Sequence, residues 1–362
     1  MRYRVFKLQC FNEPGALGPL FPGKQSHWKW RCVLLFRLVQ CLIVLICFAK
    51  TACFAAEPLA ESAHNAFSIR FENDWFAGTD ENYTNGISIA VTQTGKGLLG
   101  GVWDLFGEAS GKRFLTYELT QLMFTPSDLS LSNPDPTDRP YAGLLYLGFT
   151  THLERENSLH SLKLIAGIAG PDSFADDVQR FTHEELNSTL AQGWDYQIKN
   201  EPIINLVYEY RYRYVLTPRD APVGVEFIPM GGAFLGNYLI QAETDVQCRV
   251  GYHLPDDFGT TVLRGISYLP FPQDDKVHYA WGIYAFAGGG GNIVARNITL
   301  DGNSFAESRS VDKRLFLPVA EYGASLWTQW FQATFSYVMW GKEFYGQKTR
   351  EDYGSVLLSC FF

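Results

Sequence analysis

Three side chains of the types that ester hydrolysis needs occur at Asn73, Asp74 and His183. Such a reaction requires a base that activates water and a donor that stabilises the developing oxyanion. A neutral His183 imidazole could take the proton from water, and the Asn73 amide could donate to the ester oxygen. The Asp74 carboxylate is a hard oxygen ligand of the kind that calcium prefers. These residues are therefore the candidate catalytic set, and Asp74 is also a candidate metal ligand.

Each of these residues also has a purely structural interpretation. A single histidine in a loop is more often a solvated side chain than a base, and an Asn-Asp pair is common in turns at strand ends. Glu201 is a second candidate metal ligand and Asp195 a further carboxylate, but Glu201 could equally be a lumen charge paired with an arginine. Two carboxylates so distant in sequence do not form a metal motif.

A second polar segment reads Asp138-Arg139-Pro140-Tyr141-Ala142-Gly143. An arginine fork binds phosphate in a bidentate manner, so Arg139, with Asp138 and Tyr141 beside it, is a candidate for substrate recognition. The alternative is an ion pair between Arg139 and Asp138 or an acid of the barrel lumen. No Gly-x-Ser-x-Gly elbow occurs, and Ser173 and Ser188 are unconvincing nucleophiles.

The composition restricts the scaffold that must position these residues. Charged residues make up 19% of the 362, below the roughly 25% of soluble domains, whereas aromatic residues make up 15%. A mean hydropathy of −0.09 and the lack of a long apolar stretch beyond residue 56 exclude a helical membrane bundle. The net charge of −8 argues against a nucleic-acid partner. The chain is typical of a transmembrane β-barrel, in which apolar and polar residues alternate.

The N-terminal segment is expected to be a secretion signal. Lys29 and Arg31 precede an apolar run that continues to residue 49, and small residues follow. We therefore predict a signal peptide over residues 1–56, cleaved after Ala55 or Ala56, and a single barrel domain over residues 57–362. The alternative is a membrane anchor.

Period-two alternation predicts the strands of this barrel. Residues 204–214 place aromatic and apolar side chains on one face and Asn205, Glu209 and Arg211 on the other. A soluble β-sandwich is the alternative, but these runs approach the roughly 9–11 residues that span a bilayer. Twelve strands are predicted, near residues 66–74, 85–93, 114–124, 142–152, 159–169, 202–216, 223–233, 236–251, 277–288, 316–326, 330–340 and 354–362.

An even strand number with both termini in the periplasm places alternate connections outside the cell. The connections 75–84, 125–141 and 170–201 then share the outer rim with the candidate residues. Segment 252–276 does not fit, because it is long and falls on the periplasmic side. The last strand ends on Phe362, which resembles the signal read by the outer-membrane assembly machinery.

The polar rim segments together resemble the outer-membrane lipid A 3'-O-deacylase family, from about residue 66 to the C-terminus. The resemblance rests on Glu72-Asn73-Asp74-Trp75-Phe76, Thr79-Asp80, Tyr83-Thr84-Asn85-Gly86, the Asp138–Gly143 segment, the stretch from Gln179 through His183 and Gly193-Trp194-Asp195 to Pro202, and Asp301-Gly302-Asn303. Glu81-Asn82 departs from the family pattern.

The resemblance implies removal of the 3'-linked acyloxyacyl group from lipid A, with His183 as base and Ca²⁺ as cofactor. The implied partner is lipopolysaccharide in the outer leaflet, and we expect a monomer in the bacterial outer membrane. Two rivals remain: an outer-membrane phospholipase, which would need an activated serine, and a passive porin or structural barrel, which would need an open lumen.

Overall fold

The computed structural model describes residues 65–78, 81–95, 100–105, 110–218, 221–266 and 279–362. Contacts divide the chain into Met1–Thr51 and Ala52–Phe362, and the described residues all lie in the second unit. The predicted signal segment 1–56 and the Thr79-Asp80 pair lie outside the described residues.

Twelve long strands and one short one make up a single antiparallel sheet. The two-residue strand β7 continues β6 beyond Arg213. The strands are β1 (Asn65–Asn73), β2 (Asn82–Thr94), β3 (Lys112–Thr125), β4 (Ala142–Arg155), β5 (Ser158–Ala169), β6 (Glu201–Tyr212), β7 (Tyr214–Val215), β8 (Val223–Gly236), β9 (Leu239–Tyr252), β10 (Trp281–Asn297), β11 (Phe316–Thr328), β12 (Phe331–Trp340) and β13 (Glu351–Phe361).

Two pairings close this sheet into a barrel. The first and last strands pair from Ala66 opposite Phe361 to Asn73 opposite Gly354, and β6 pairs with β8. Each remaining long strand pairs with its neighbours in sequence. Closure lets the strands at the two edges of the sheet hydrogen-bond to one another, as a bilayer requires. The predicted all-β antiparallel barrel of about twelve strands is confirmed.

The alternation in β6 separates a lipid-facing side from a lumen-facing side. Ile204 and Leu206 are exposed, whereas Asn205, Glu209 and Arg211 are buried. This is the predicted pattern for a barrel whose outer face is apolar and whose inner face is polar.

The largest difference in strand bounds concerns β10. We predicted 277–288, but the strand spans Trp281–Asn297. The run Gly288–Gly291 lies inside it and carries no side chains, so the period-two signal ends there. A Cβ at Gly290 would lie 1.9 Å from the Thr244 carbonyl oxygen, which explains why this close strand contact needs glycine.

Short helices occupy the connections. The α-helices are Val102–Leu105, Ala175–Leu186 and Ile298–Asp301, and the 3₁₀ turns are Asp74–Ala77, Pro171–Ser173 and Trp194–Tyr196. Within the described residues, no helix combines the length and the apolar character needed to cross a bilayer.

The connections gather at two ends of the barrel. Asn65 and Phe362 meet at one end, where Asn65 N donates to the Phe362 carbonyl at 2.9 Å. We call the opposite end the outer rim. It carries the connections 74–81, 126–141, 170–200, 298–315 and 341–350, and therefore the three candidate segments.

The long connection after β9, which did not fit the predicted topology, folds into the lumen of the barrel. Its described part, residues 253–266, starts at the end where the termini meet. Arg211 of β6 donates to the carbonyls of Phe258 and Thr260, each at 2.9 Å. Arg70 of β1 donates to Thr261 Oγ1 at 2.9 Å. Because strands from opposite sides of the barrel contact this segment, it lies inside the lumen, and we call it the lumen segment.

The lumen segment continues to the outer rim. Leu263 N donates to Glu72 Oε1 at 2.9 Å, and Arg264 Nη2 lies 2.6 Å from Glu343 Oε1 in the connection 341–350. A porin would need an open channel, so the occupied lumen disfavours that rival.

Candidate functional site

The Asn73-Asp74 turn is set by hydrogen bonds within the outer rim. Asn73 ends β1 and caps the following 3₁₀ turn, because its Oδ1 accepts from Trp75 N at 2.8 Å. Its Nδ2 donates to the Thr84 carbonyl at 2.9 Å. Asp74 is 1% exposed, and its Oδ2 accepts from Glu81 N at 2.6 Å. The pair does form a turn, as the structural interpretation held, and that turn fixes a buried carboxylate at the rim.

His183 lies on the α-helix Ala175–Leu186, which we call the rim helix, and is 7% exposed. Its Nδ1 is 2.5 Å from the Thr189 carbonyl oxygen. Because a carbonyl oxygen can only accept, Nδ1 must carry the hydrogen, and in the neutral ring Nε2 is then the basic nitrogen. The backbone thus selects the tautomer and fixes the ring orientation that a general base needs.

Aromatic packing connects the rim helix to the second polar segment. Gln179 lies one helical turn before His183, and its Oε1 accepts from Trp194 Nε1 at 2.7 Å. The Trp194 ring packs against Tyr141, with ring centroids 4.8 Å apart. Tyr141 is completely buried. Tyr141 therefore supports the rim helix indirectly, through Trp194 and Gln179.

Gly143 explains how the chain approaches closely at the base of this helix. A Cβ there would lie 2.1 Å from Ser173 Oγ and 2.5 Å from the Ala175 side chain. Ser173 is itself completely buried. Its burial makes it a poor nucleophile, which disfavours the phospholipase rival.

Arg139 points into the barrel. Its side chain is fully buried, with Nη1 3.1 Å from Glu343 Oε2 and 3.8 Å from Glu351 Oε2. The guanidinium also lies over the Phe124 ring at 4.6 Å. The ion pair with lumen acids, left open by the sequence, is what the structure shows.

Asp138 turns the other way and organises its own loop. Its Oδ2 accepts from the backbone N and the Oγ of Ser127 at 2.8 and 2.6 Å. Its Oδ1 accepts from Arg139 N at 2.8 Å. Asp138 and Arg139 therefore do not pair through their side chains in this arrangement.

Glu201 and Asp74 lie on different arcs of the rim. The four strands β2 to β5 separate β1, which ends beside Asp74, from β6, which begins at Glu201. Glu201 Oε1 accepts from Asn237 Nδ2 at 2.9 Å, and Oε2 accepts from Ser304 N at 2.6 Å. Asp195 is exposed on its 3₁₀ turn. The described contacts do not bring these carboxylates together.

His183 and the Asn73-Asp74 turn lie on neighbouring parts of the rim. The rim helix packs on β3 and β4, whereas the turn packs on β2 and β13. In the described ranges, no group of three or more His, Cys, Asp or Glu side chains is arranged to hold a metal ion. Calcium also accepts backbone carbonyls, amide oxygens and water, so Asp74 fits as one ligand of a site completed by such oxygens. The calcium requirement stays a prediction.

Glu343, which organises the charges beneath the rim, was not among the residues predicted from the sequence. It lies between Arg139 and Arg264, outside any alternating strand. Burial would raise the pKa of Glu343, but these two guanidinium groups hold it well below its ordinary value. Only the meeting of the lumen segment and the rim connections creates this cluster.

Comparisons with known proteins agree with this architecture. A family model described as outer membrane protein LpxR matches residues 38–362. The fold is similar to that of LpxR from Salmonella typhimurium, with a TM-score of 0.68 and 18% identity, covering 82% of this chain and 100% of that chain.

More distant barrels are also similar. The translocator domain of the autotransporter NalP from Neisseria meningitidis gives a TM-score of 0.38 at 9% identity and covers 93% of this chain and 98% of that chain. The NanC porin gives 0.34 at 6% identity, covering 82% and 98%. No curated protein matches the chain.

The family match spans the whole described barrel and includes every rim segment on which the resemblance was based. It confirms that resemblance and the expected location. The chain therefore belongs to the LpxR family of outer membrane proteins and resides in the bacterial outer membrane.

Proposed function

We propose that this protein removes the 3'-linked acyloxyacyl group from lipid A by ester hydrolysis. The family match over residues 38–362 is the observation that carries the proposal. The buried polar residues of the outer rim supply the groups that such a reaction requires.

In the proposed reaction, His183 is the general base. The Thr189 carbonyl holds the hydrogen on Nδ1, so Nε2 takes the proton from the attacking water. The protonated ring then returns that proton to the alkoxide leaving group, which balances the overall hydrolysis. The rim helix positions the ring for both transfers.

Asn73 stabilises the developing oxyanion in this proposal. Its Nδ2 carries two hydrogens, and the bond to the Thr84 carbonyl uses one of them. The bond from Trp75 N to Oδ1 fixes which side of the amide donates. A donor held in this way before the reaction contributes more than one that must reorient.

Asp74 would hold calcium together with nearby backbone or amide oxygens. A bound calcium ion would supply positive charge beside the ester carbonyl. The hydrogen bond from Glu81 N keeps the Asp74 carboxylate in a fixed orientation at the rim. Glu201, the second predicted ligand, is separated from this turn by four strands, so we assign calcium binding to Asp74 first.

Arg139, Asp138 and Tyr141 would contribute to substrate binding through the shape of the rim. Arg139 and Tyr141 are completely buried. Asp138 holds the loop 126–138 through Ser127. We therefore propose that these three residues support the substrate-binding surface, with Asp138 the nearest to the substrate.

The outer face of the rim helix suits a lipid substrate. Val178 and Phe181 are 39% and 66% exposed on one face of this helix, and Phe174, the residue just before it, is 58% exposed. Lipid A lies in the outer leaflet, so its acyl chains could approach laterally along this apolar face. His183 lies on the opposite, buried side of the helix, towards the barrel wall.

Mass spectrometry of lipid A from cells with and without this protein tests the proposed function. We expect loss of one intact 3'-acyloxyacyl group only when the protein is present. Unchanged lipid A in cells whose outer membrane contains the folded barrel would refute the proposal. Release of phospholipid acyl chains instead would favour the phospholipase rival.

A further inference from the structure

Glu72 is a buried carboxylate that the proposed reaction does not use. It lies one residue before Asn73 in β1 and is completely buried. Because side chains alternate along a strand, Glu72 faces the lumen and Asn73 faces the opposite side of the barrel wall. A carboxylate in such a place is costly unless hydrogen bonds compensate for its burial. Three donors provide that compensation.

The three donors come from three different parts of the barrel. Glu72 Oε2 accepts from Tyr83 Oη of β2 at 2.8 Å. Its Oε1 accepts from Leu263 N of the lumen segment at 2.9 Å and from Ser355 Oγ of β13 at 3.1 Å. Glu72 thus ties the end of β1 to both neighbouring strands and to the lumen segment.

The lumen segment runs alongside β1 at this point. Arg70 shares the lumen-facing side of β1 with Glu72. It donates to Thr261 Oγ1, whereas Glu72 accepts from Leu263 N, two residues further along the segment. Residues two apart on β1 therefore meet residues two apart on the segment, as the spacing of one strand face requires. The segment supports β1 up to its last lumen-facing residue.

The sequence leaves room for this arrangement at Gly86. This glycine of β2 is the residue that pairs with Glu72 of β1. A Cβ at Gly86 would clash with Tyr83 Oη and would lie 2.8 Å from the Leu263 side chain. Glycine at this position therefore lets both Tyr83 and Leu263 reach the same carboxylate.

The hydrogen bond of Asn73 joins the same two strand ends. Asn73 Nδ2 donates to the Thr84 carbonyl at 2.9 Å, and Thr84 follows Tyr83 in β2. Consecutive residues of β1 therefore bind consecutive residues of β2. Because both bonds join the same strand ends, loss of the bond between Glu72 and Tyr83 would let β1 move relative to β2 and would shift the Asn73 amide.

We propose that Glu72 is a positioning residue, which holds the Asn73 amide where the oxyanion forms. The inference rests on the proposed function, since it concerns the oxyanion donor of that reaction. Glu72 contacts neither the substrate nor the attacking water in this role and acts through Asn73. Misplacement of a reacting group by about 1 Å costs up to about 10²-fold in rate. Glu72 therefore affects turnover and leaves the binding of lipid A unchanged.

Variants of Glu72 provide the test. Both kcat and KM are measured with lipid A in detergent, on full barrels shown to be folded by heat-modifiability. We expect Glu72→Ala to lower kcat by about 10- to 100-fold and to leave KM unchanged. Glu72→Gln keeps an Oε1 that accepts from Leu263 N and gains an amide that can donate to Tyr83 Oη, so it should restore most of the rate.

Two serines of β13 form a matched pair of further variants. Ser355 and Ser359 are both buried on the lumen face, but Ser355 donates to Glu72 whereas Ser359 binds Ser68. We expect Ser355→Ala to lower kcat by about 2- to 5-fold, as for the loss of one hydrogen bond, and Ser359→Ala to match the wild type. Tyr83→Phe should lower kcat by about 3- to 10-fold. If Glu72→Ala does not fold, these variants carry the test.

A double variant separates positioning from a general effect on the barrel. In Asn73→Ala the amide that Glu72 positions is already gone, so adding Glu72→Ala or Tyr83→Phe should lower kcat no further. Losses that multiply in full would overturn the proposal. Wild-type kcat in folded Glu72→Ala, or in both Tyr83→Phe and Ser355→Ala, would also overturn it, as would a change confined to KM.

Hydrogen exchange gives a readout that needs no reaction. Trp75 N donates to Asn73 Oδ1, so exchange of this amide, followed by mass spectrometry, reports how firmly the Asn73 side chain is held. We expect faster exchange in Ser355→Ala and wild-type exchange in Ser359→Ala. This pattern in a protein that leaves lipid A intact would refute the proposed function but support the positioning of Asn73. Deacylation with unchanged exchange in every variant would refute only the role of Glu72.

Discussion

Arg264 Nη2 lies 2.6 Å from Glu343 Oε1, although Arg264 belongs to the lumen segment and Glu343 to a connection at the outer rim. Glu343 Oε2 also accepts a hydrogen bond from Arg139 Nη1 at 3.1 Å, and Glu343 N donates to Gln347 Oε1. One carboxylate thus connects the lumen segment and the Asp138–Gly143 segment to the connection 341–350. The shape of the outer rim depends on a segment that enters from the opposite end.

We expect Arg264→Ala to destabilise the barrel strongly. The substitution leaves the buried Glu343 carboxylate with one arginine partner, Arg139, instead of two. Breaking a buried ion pair typically costs about 3–5 kcal/mol. Arg350→Ala is the control, because Arg350 is exposed and its pair with Asp352 should contribute about 0–1 kcal/mol. The midpoint of unfolding on heat-modifiability gels measures both. Equal midpoints for the two variants would contradict a structural role for the cluster.

The Glu343 carboxylate, held between two arginines, predicts a loss of stability in acid. Because the pKa of Glu343 in the folded protein lies below its ordinary value of 4.5, the stabilisation is complete above that value. It is lost as the pH falls below 4.5 towards the folded pKa. We expect the unfolding midpoint of the wild type to fall over this window. Glu343→Gln, which cannot ionise, should start lower and change less; an identical pH profile would exclude Glu343 as the source.

The lumen segment predicts a barrel that does not conduct ions. Arg70, Arg211 and Arg249 hold its backbone or side chains from several strands. In planar bilayers we expect no steady pore current from the wild type. Replacing residues 256–264 with a Gly-Ser linker should produce one, provided that heat-modifiability shows a folded barrel. A steady current from the wild-type protein would instead support the alternative that the protein is a porin.

Much of this barrel could be predicted from alternation alone. In β6 the faces separated as expected, because each residue there meets either lipid or the lumen. The end of β10 could not be predicted, because Gly288–Gly291 carry no side chains to alternate. The lumen segment also escaped prediction, since its polar residues pair with arginines from distant strands, and no local pattern encodes such contacts.

The candidate site was predicted in part. The rim position of Asn73, Asp74 and His183 followed from strand parity and from the resemblance. The inward direction of Arg139 did not, because either an ion pair or a phosphate would suit a guanidinium. Its partner Glu343 is 204 residues away in sequence, and only the closed barrel brings the two together.

We expect Asp74→Asn to weaken calcium binding and lower deacylation. The substitution keeps the shape of the side chain and the acceptor for Glu81 N, but it removes the charge that attracts a hard cation. Activity should be partly restored by raising the calcium concentration. Asp195→Asn, on an exposed turn, is the matched control and should behave as the wild type. Full activity of the wild-type protein in excess chelator would contradict the metal requirement.

Finally, we expect His183→Ala to abolish deacylation while the barrel remains folded. The ring belongs to the rim helix and to no strand, and the Thr189 carbonyl that accepts from it lies in the same connection, so its loss should leave the strand pairing of the barrel intact. Loss of a general base typically lowers the rate by about 10²–10⁴-fold. Lipid A profiling beside a heat-modifiability gel measures activity and folding together.

His160→Ala is the control for this substitution. His160 lies at the other end of the barrel, where Nδ1 is 2.8 Å from Tyr208 Oη, so the variant should retain activity. Full deacylation by a folded His183→Ala variant would remove the histidine from the mechanism. The proton would then have to pass to a carboxylate of the rim, and Asp74, buried and oriented by Glu81 N, would be the first to test.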